Sequence, residues 1–334
     1  MILMKVAING LGRIGRLALK IGLDKGVDFV AVNELGDARN IAYLMKYDSV
    51  YGRYDKKVEI RDGFLIIGNK KIHYFSEKDP EKLPWKKLGV DVVIESTGVF
   101  TESKEAEKHI KAGAKKVIIS APGKNCKTTL ILGVNEKNSN SKDKVISMGS
   151  CTTNCLAPVV KILDDNFGIE SGFLTTVHAY TSTQALVDSP NKSLKFRRGR
   201  AAASNIIPTT TGATQSVVEA IPKLKGKLNG MAMRVPVLSG SIIDFVAVLK
   251  KSPTKEQVNN AFKSAASKEM KGILEYTEDE IVSSDIIKNP HSAIVDGLST
   301  QVIGNTVKVL AWYDNEYGYS TRLIEMAKFL SKIK

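Results

Sequence analysis

The feature that most constrains the fold is a strand, a glycine-rich turn and a helix that follow one another directly near the start of the chain. Lys5–Asn9 reads K-V-A-I-N, residues 10–15 read G-L-G-R-I-G, and the helical pattern R-L-A-L-K-I-G-L comes next. In this context Gly10 permits the tight turn, Gly12 lets the backbone approach a pyrophosphate, and Gly15 allows the helix to pack closely on the strand. The helix N-terminus then stabilises phosphate groups. The pattern predicts a dinucleotide-binding unit.

An acidic residue at the end of the next strand indicates which dinucleotide is bound. The strand Val27–Asn33 ends at Glu34, which lies nineteen positions beyond Gly15, near the usual spacing of about 20. A carboxylate there accepts hydrogen bonds from the ribose hydroxyls of NAD and repels the 2′-phosphate of NADP. We therefore expect NAD as the cofactor. The alternative is that Glu34 is a solvated acid at the strand end. Arg13, in the turn, either faces the pyrophosphate or packs against the protein.

The rest of the N-terminal half alternates strands with helices. Apolar strand patterns at Val90–Glu95 and Lys116–Ile119 flank a helical pattern near Glu105–Ala112. Strands that alternate with helices form a parallel sheet with helices on both faces. We therefore predict an α/β fold with a Rossmann-type doubly wound parallel sheet, as an NAD-binding domain over residues 1–150.

The strand patterns change character after Cys151. They become longer and mixed, which is typical of a largely antiparallel sheet with helices on one face. The segments are Phe173 to Ala179, Met231 to Leu238, Ser241 to Lys250 and Thr306 to Tyr313. We predict an α+β catalytic domain with a mainly antiparallel sheet over residues 151–315, and a C-terminal helix within 316–334 that completes the first domain.

Cys151 is a candidate nucleophile. It lies in S-C-T-T-N-C at 150–155, after the strand-like V-I-S and before the apolar helical run L-A-P-V-V-K-I-L. At a helix start the backbone N–H groups and the helix dipole lower a thiol pKa from about 8.5, which favours the reactive thiolate. His178, at the end of the strand pattern F-L-T-T-V-H, is the natural base partner. The alternatives are that Cys151 is an inert buried cysteine and that His178 has only a structural role. Cys155 lies one helical turn further along the chain. It either packs in the core or forms a disulfide with an oxidised Cys151, and we prefer packing.

Composition argues against several other classes of protein. Three cysteines are too few for the disulfide framework of a secreted protein, and four histidines without a close Cys/His cluster argue against a metal site. No segment reaches the roughly 20 apolar residues that span a bilayer, and the N-terminus lacks the pattern of an export signal. We expect a soluble, cytoplasmic protein without a metal. The net charge of +14 comes from lysines spread along the chain, so nucleic acid is not expected as the primary partner.

Several longer motifs together resemble a known enzyme family. They occur in order over essentially the whole chain and read N-G-L-G-R-I-G-R, K-Y-D-S-V-Y-G, S-C-T-T-N-C-L-A-P, T-T-V-H-A-Y-T, I-I-P-T-T-T-G-A, G-M-A-M-R-V-P and W-Y-D-N-E-Y-G-Y-S. On these motifs the chain resembles the phosphorylating glyceraldehyde-3-phosphate dehydrogenases. The resemblance implies NAD as cofactor, glyceraldehyde 3-phosphate and inorganic phosphate as substrates, and a homotetramer in which the loop D-S-P-N-K-S-L-K-F-R-R approaches a neighbouring subunit's cofactor.

The resemblance also implies a reaction sequence. Cys151 attacks the aldehyde to give a hemithioacetal while His178 accepts the proton, and hydride passes to the nicotinamide. Inorganic phosphate then attacks the resulting thioester and releases 1,3-bisphosphoglycerate.

The same resemblance assigns the remaining site residues. The substrate's own phosphate is bound by Thr181 and Arg234. The attacking phosphate is bound by either Arg197 or Arg198, since K-S-L-K-F-R-R-G-R allows both alignments, together with Ser150, Thr152, Thr211 and Gly212. Cofactor contacts are implied for Arg13, Ile14, Glu34, Thr97, Ser120 and Asn315, with Asn315 orienting the carboxamide, and for Lys78, which stands where an arginine often contacts the adenine end.

The chain departs from the family pattern beside the nucleophile, where Met148-Gly149 replaces the usual Asn-Ala. We expect activity, with a rate that depends on how Met148 packs beneath the helix start. The nearest alternative function is that of an erythrose-4-phosphate dehydrogenase, which uses water in place of phosphate and lacks the Y-T and T-T-G pattern kept here at Thr181 and Thr211. An alternative of another class is a nucleic-acid-binding role, which the basic charge allows.

Overall fold

The computed structural model describes residues 4–191 and 195–333, and within them the chain forms two compact units. Unit 1 comprises the chain up to Leu130, Lys137–Gly149 and the residues from Ser320 onward. Unit 2 comprises Ile131–Glu136 and Ser150–Tyr319. Residues 1–3 of the predicted first domain, residues 192–194 of the loop D-S-P-N-K-S-L-K-F-R-R and Lys334 of the predicted last helix lie outside the described residues.

Unit 1 is built on one large sheet with parallel central strands. Its elements in chain order are β1 (Lys5–Asn9), α1 (Arg13–Asp24), β2 (Asp28–Asn33), α2 (Ala38–Lys46), β3 (Tyr47–Asp48), β4 (Gly52–Arg53), β5 (Val58–Arg61), β6 (Phe64–Ile67), β7 (Lys70–Phe75), α3 (Trp85–Leu88), β8 (Val92–Glu95), α4 (Ser103–Lys111), β9 (Lys116–Ile119) and β10 (Val145–Ser147). The strand order is β10-β9-β8-β1-β2-β7-β6-β5, with parallel pairing from β10 to β7 and antiparallel pairing in β7-β6-β5. The predicted Rossmann-type sheet is confirmed.

Strand β1 occupies the centre of this sheet because its residues Val6, Ala7 and Ile8 are apolar and buried on both faces, as in parallel sheets generally. The chain continues from β1 to β2 on one side, and β8 pairs with β1 on the other. In doubly wound sheets, ligands bind outside the carboxyl ends of the strands where the strand order reverses in this way. The turns that follow β1 and β8, at Gly10 and Ser96, both lie at that position.

Unit 2 contains a mixed sheet in which antiparallel pairs predominate. Its elements in chain order are α5 (Cys151–Phe167), β11 (Ile169–Ala179), β12 (Ile207–Thr210), α6 (Ala213–Ala220), β13 (Leu228–Val235), β14 (Ser241–Leu249), α7 (Lys255–Ser267), β15 (Leu274–Thr277), β16 (Ala293–Ile303), β17 (Thr306–Tyr313) and α8 (Tyr317–Leu330), of which α8 belongs to unit 1 from Ser320 onward. The strand order is β12-β13-β11-β14-β17-β16-β15, and only β11-β13 and β15-β16 are parallel among these pairs. The predicted α+β architecture with a mainly antiparallel sheet is confirmed.

Helices α5, α6 and α7 cover one face of the unit 2 sheet. Alternate residues of the strands, such as Leu174, Ile243 and Phe245, form one buried apolar cluster with these helices. The intervening residues lie on the opposite face, where Phe173 is 67% exposed and Met231 is 38% exposed. The covered face holds the core of the unit, and the strand ends beside it carry the side chains described below.

The structure adds elements that the sequence patterns did not predict. The antiparallel strands β5 and β6 extend the unit 1 sheet, and β3 and β4 form a separate two-stranded ribbon. Residues 131–136 belong to unit 2, because Ile131 is buried in its apolar cluster. In the described part of the chain, no helix combines the length and apolar character needed to cross a membrane.

Candidate active site

The candidate nucleophile Cys151 is the first residue of α5, and it lies beside His178 near the end of β11. The helix begins there because Ser150 caps it: Ser150 Oγ accepts a hydrogen bond from Thr153 N at 3.1 Å, and Thr153 Oγ1 accepts one from Ser150 N at 3.0 Å. The distance from Cys151 Sγ to His178 Nε2 is 3.4 Å. The sulfur and the imidazole are therefore in the contact that a nucleophile and its base require.

Arg234 contacts the imidazole nitrogen of His178 that does not face Cys151. It lies opposite His178 in the parallel pairing of β11 and β13. Its Nη1 donates to Ala179 O at 2.7 Å and lies 2.7 Å from His178 Nδ1. Nδ1 also lies 2.7 Å from Ala179 O, which can only accept, whereas the arginine can only donate, so the two contacts place opposite demands on this nitrogen. A proton on Nδ1 leaves Nε2 as an acceptor for the thiol proton of Cys151, and a proton on Nε2 is instead directed at the sulfur.

The charges and burial of the site shift both pKa values. Burial raises the pKa of the Cys151 thiol, and the Arg234 cation and the backbone amide of Thr152 oppose that increase. The predicted lowering of the thiol pKa is therefore wrong, because desolvation of the sulfur outweighs the effect of the helix start. Burial, the Arg234 cation and, more weakly, Arg198 lower the pKa of His178 to about 3. The imidazole is consequently neutral at neutral pH.

The structure distinguishes the two adjacent arginines that the sequence could not separate. Arg198 Nε donates to Thr209 Oγ1 at 2.9 Å, and its Nη1 donates to Thr183 Oγ1 at 3.2 Å. Its charge also acts on His178 and Arg234. Arg197 instead lines a separate surface cavity. The geometry therefore favours Arg198 as the phosphate-binding arginine of the pair.

Thr181 and Arg234, assigned to the substrate's phosphate, both retain groups that can bind an anion. Thr181 Oγ1 contacts Thr183 Oγ1 at 2.9 Å, which connects it to Arg198 through a second hydroxyl. Among the described residues, Arg234 Nε is buried without a hydrogen-bond partner. A buried unpaired donor on a cation is a strong binding group for a phosphate oxygen.

Thr211, Gly212 and Ser150, assigned to the attacking phosphate, lie at the starts of two helices. Gly212 is the N-cap of α6, and Thr211 Oγ1 accepts a hydrogen bond from Ala213 N at 3.2 Å, which leaves the Thr211 hydroxyl hydrogen available. Ser150 caps α5 and contacts Thr153 Oγ1 at 2.9 Å. Helix N-termini with hydroxyl donors are suited to bind anions.

Thr152, the last residue assigned to that phosphate, is placed differently. It is 4% exposed, and its Oγ1 lies 2.9 Å from the Tyr313 hydroxyl. Tyr313 OH in turn lies 2.8 Å from Thr176 Oγ1, which donates to Ile242 O at 3.3 Å. If the three hydroxyls donate in one direction, Thr152 donates to Tyr313 and has no hydrogen left for an anion. The Thr152 hydroxyl is therefore poorly placed to bind phosphate.

Asn315 is fixed by its side-chain oxygen. Its Oδ1 accepts hydrogen bonds from Gly240 N at 3.1 Å and from Ser241 Oγ at 2.9 Å. These two donors orient the amide so that Nδ2 is the group that points away from them. The Asn315 amide nitrogen is therefore oriented to donate a hydrogen bond, as binding the carboxamide oxygen of a nicotinamide requires.

Five of the predicted cofactor residues of unit 1 line a cavity of about 380 Å³ at the carboxyl ends of β1, β2 and β8: Gly10, Gly12, Glu34, Lys78 and Thr97. The glycines fit a dinucleotide here. A side chain on Gly10, which has a positive φ of 93°, would overlap the Thr97 backbone, whereas the space above Gly12 is open. The open Gly12 backbone allows a pyrophosphate to approach closely. The cavity is lined by Asn9, Gly10, Gly12, Asn33, Glu34, Leu35, Glu77, Lys78, Ser96, Thr97, Val99 and Phe100.

Glu34 is held in place by the backbone around it. Its two carboxylate oxygens accept hydrogen bonds from Leu11 N at 2.6 Å and Gly36 N at 2.9 Å. Each oxygen has a further lone pair, so the carboxylate can also accept from two ribose hydroxyls. Burial, with a contribution from the Glu34 charge, raises the pKa of the neighbouring Tyr74 to about 12.

The other predicted cofactor residues have more varied surroundings. Arg13 Nη1 forms an ion pair with Asp48 Oδ2 at 2.8 Å, and its guanidinium lies 5.7 Å from the centre of the Tyr51 ring. This contact corresponds to the packing alternative for Arg13. The Thr97 hydroxyl and amide contact Glu95, and the Ile14 carbonyl accepts from Ser320 Oγ at 3.5 Å. Ser120 is partly buried at the end of β9, and Lys78 is exposed.

Sequence reasoning missed four hydroxyl residues of the unit 2 site: Thr176, Thr183, Thr209 and Tyr313. Tyr313 also packs edge-on against His178, with ring centroids 5.9 Å apart. It could have been found from the alternating pattern of β17, which directs its last side chain to the covered face.

Within residues 4–191 and 195–333, no group of three or more His, Cys, Asp and Glu side chains is placed to hold a metal ion.

Comparison with known proteins identifies relatives of both units. Residues 4–103 match the family described as glyceraldehyde 3-phosphate dehydrogenase, NAD binding domain, and residues 150–315 match the corresponding C-terminal domain. The chain is 54% identical to glyceraldehyde-3-phosphate dehydrogenase of Borreliella burgdorferi, over 98% of this chain and 100% of that protein. It is 51% identical to glyceraldehyde-3-phosphate dehydrogenase 2 of Bacillus subtilis, over 98% of this chain and 97% of that protein. It is 52% identical to glyceraldehyde-3-phosphate dehydrogenase of Geobacillus stearothermophilus, over 98% of each.

Proposed function

The chain belongs to the glyceraldehyde-3-phosphate dehydrogenase family, and from this premise we propose that it oxidises glyceraldehyde 3-phosphate to 1,3-bisphosphoglycerate through a thioester on Cys151. The cofactor is NAD, and the protein is an NAD-dependent oxidoreductase of glycolysis. The observation that carries the proposal is the 3.4 Å contact between Cys151 Sγ and His178 Nε2 at a capped helix start, with Arg234 on the other ring nitrogen.

The first stage is addition of sulfur to the aldehyde carbon. His178 carries the thiol proton of Cys151 to the aldehyde oxygen, which gives the hemithioacetal. NAD, when bound, would supply the hydride acceptor for this oxidation. His178 takes the hydroxyl proton in that oxidation, and the product is a thioester on Cys151.

Substrate binding at Arg234 would prepare His178 for these proton transfers. In the tautomer in which Nδ1 accepts from Arg234, the imidazole presents Nε2–H to the sulfur and cannot accept a proton there. A substrate phosphate on Arg234 would draw the guanidinium toward itself and offset its charge. Nδ1 could then take the proton and donate to Ala179 O, which lies 2.7 Å away. The pKa of His178 would rise, and Nε2 would become the base.

The second stage is attack of inorganic phosphate on the thioester. A phosphate oxygen bonds to the thioester carbon, the C–S bond breaks, and Cys151 leaves as a thiolate. Protonated His178 lies beside the departing sulfur and stabilises it. Arg198, Thr211 and the start of α6 at Gly212 are the groups proposed to hold the phosphate, since they combine a cation, a hydroxyl and a helix N-terminus.

The proposed function is tested by the phosphate dependence of NADH formation. With glyceraldehyde 3-phosphate and NAD, we expect the initial rate to rise with inorganic phosphate and to saturate. Erythrose 4-phosphate serves as the competing aldehyde, with and without phosphate. A rate of NADH formation that is indifferent to phosphate, or one that is higher with erythrose 4-phosphate, would contradict the proposal and favour the water-using enzyme.

Replacing the two neighbouring arginines separately tests the assignment of Arg198. In Arg198→Ala, the KM for inorganic phosphate is expected to rise by about 10-fold to 100-fold, because a charge-assisted hydrogen bond to the phosphate is lost. Arg197→Ala is the matched control, since Arg197 lines a different cavity. Its KM for phosphate should stay within about twofold of wild type. A larger increase in Arg197→Ala than in Arg198→Ala would reverse the assignment.

We also propose that the protein is a homotetramer in the cytoplasm. The supporting feature is the uncovered face of the unit 2 sheet, where Phe173, Ile242 and Leu310 lie on adjacent strands among the described residues. This face also carries the ion pair between Asp244 and Lys308, and its exposed apolar side chains are of the kind that a partner covers. All three cysteines are free thiols, as in a reducing compartment. A solution mass equal to that of a single chain would contradict the oligomeric part of the proposal.

A further inference from the structure

A second group of buried polar side chains lies in unit 1, beneath the cofactor cavity. Glu95, at the end of β8, is 2% exposed, and His109 on α4 is 0% exposed. His109 Nε2 lies 3.1 Å from Glu95 Oε2. None of the proposed proton transfers involves this pair. Buried titratable groups without a role in the chemistry require another explanation, because their burial is costly unless they are fully hydrogen-bonded.

The proton position on His109 is determined by Trp85. The indole Nε1 of Trp85 donates to His109 Nδ1 at 2.9 Å. An indole nitrogen can only donate, so Nδ1 accepts and the ring proton resides on Nε2. His109 is therefore neutral, and it donates to Glu95.

The side-chain amide of Asn9 is oriented toward Glu95 in the same way. Asn33 Oδ1 accepts from Glu77 N at 2.8 Å, and Asn33 Nδ2 donates to Glu77 O at 2.9 Å, which fixes the Asn33 amide. Asn33 Nδ2 also donates to Asn9 Oδ1 at 2.7 Å, so Asn9 must present its Nδ2 to Glu95 Oε2, at 2.6 Å. The backbone at Glu77 thus determines the direction of the hydrogen bonds from Asn33 to Asn9 and from Asn9 to Glu95.

The remaining oxygen of Glu95 holds Thr97. Glu95 Oε1 accepts from Thr97 N at 2.8 Å and contacts the Thr97 hydroxyl. Thr97 and Asn9 line the cofactor cavity, and the Thr97 amide nitrogen would lie only 2.7 Å from a Cβ on Gly10. The Thr97 backbone therefore packs directly on Gly10, in the glycine turn that is expected to meet the pyrophosphate.

We propose that Glu95 is a positioning residue of the NAD pocket: a buried Trp85–His109–Glu95 series holds Thr97 against Gly10 and thereby sets the shape of the pocket. This inference rests on the proposed function for the identity of the ligand. Asn9, His109 and the Thr97 amide can only donate to Glu95 as they are oriented. An amide at position 95 would direct its own hydrogens at one of these donors, so a carboxylate is required.

The inference is tested by the affinity of the full chain for NAD, measured by calorimetry, in Glu95→Gln and in two variants of His109. In Glu95→Gln, the Kd for NAD is expected to rise about tenfold, because the donors around residue 95 lose an acceptor. In steady-state kinetics, the KM for NAD is expected to rise, with a smaller change in kcat at saturating NAD. His109→Leu should weaken NAD binding similarly. His109→Gln retains a side-chain N–H and should restore most of the affinity.

The matched control is Asp91→Asn, at the opposite end of the same strand. Asp91 accepts from Lys5 N at 2.9 Å and pairs with Lys115, away from the cofactor cavity. Its replacement removes a carboxylate from this region of the sheet, and the Kd for NAD should stay within about twofold of wild type.

Three outcomes would overturn the inference: a folded Glu95→Gln with unchanged affinity for NAD, equal weakening by Asp91→Asn, or equal affinities of the two His109 variants. If Glu95→Gln does not fold, the comparison of His109→Leu with His109→Gln decides. A wild-type protein that binds NAD but oxidises no aldehyde would contradict the proposed function alone, because the binding comparison does not depend on turnover.

Discussion

Cys151→Ser is expected to lower kcat/KM for glyceraldehyde 3-phosphate on the order of 10⁴-fold or more, because a serine hydroxyl is a far weaker nucleophile than a thiolate and no other group is proposed to form the acyl intermediate. The change is nearly isosteric, so the contact with His178 and the cap at Ser150 should remain. The measurement is the initial rate of NADH formation at saturating NAD and phosphate, together with the burst of NADH from a single turnover.

Cys155→Ser is the matched control for this prediction. Cys155 lies one helical turn from Cys151, is fully buried, and its Sγ donates to Ala311 O at 3.7 Å. A serine at this position can donate to the same carbonyl, so we expect activity within about fivefold of wild type and a modest loss of stability. NAD affinity should be unchanged in Cys151→Ser, since the proposed dinucleotide contacts lie mainly in unit 1. Equal activities of the two serine variants would contradict the assignment of the nucleophile.

His178→Asn is expected to lower kcat by about 10²-fold to 10⁴-fold, the usual contribution of a positioned acid and base. The variant removes the group that exchanges protons with the thiol and the hemithioacetal oxygen. Stopped-flow measurement of the first turnover separates this effect from product release. His291→Asn is the control, because His291 pairs with Glu275 at 2.9 Å on the surface of the same unit. A His178→Asn variant with kcat within tenfold of wild type would exclude His178 as the base.

The same variant should change the response of the protein to acid. The pKa of His178 is lowered to about 3 from an ordinary value of 6.5, so between these values the unfolded chain binds a proton that the folded site does not. His178 therefore makes the wild type less stable as the pH falls from 6.5 toward 3. Urea unfolding at pH 7, 5 and 4 should show the stability of His178→Asn improving relative to wild type as the pH falls. A constant difference between the two would contradict the lowered pKa.

Local sequence was sufficient for the turn and the strand end of the proposed cofactor site. The glycine turn after β1 and Glu34 after β2 could be predicted, because a tight turn, a helix start and a strand end depend on a few consecutive residues. Cys151 at a helix start could be predicted for the same reason, since the cap at Ser150 lies next to it. The two fold classes followed from strand patterns that alternate with helices in one half and lengthen in the other.

Pairings over long distances in the sequence were not predictable. His178 meets Arg234 because β11 and β13 are parallel neighbours in a register that sets these two residues opposite each other. That register depends on how the whole unit 2 sheet is assembled, and no short segment contains it. Consequently the sequence could predict an arginine in the site, but it could not show that this arginine contacts Nδ1 of His178.

The sequence by itself therefore determined the fold class, the glycine turn, the acid after β2 and the cysteine at a helix start, because each depends on neighbouring residues. Only the tertiary structure showed that Arg197 and Arg198, which are adjacent in the chain, face different surroundings, and this difference favours Arg198 for the proposed phosphate site. It also reversed the expected pKa shift of Cys151, since desolvation depends on everything packed around the sulfur. The Trp85–His109–Glu95 series was also visible only in the tertiary structure. Its three side chains come from separate elements and form hydrogen bonds with one another only because packing buries them together.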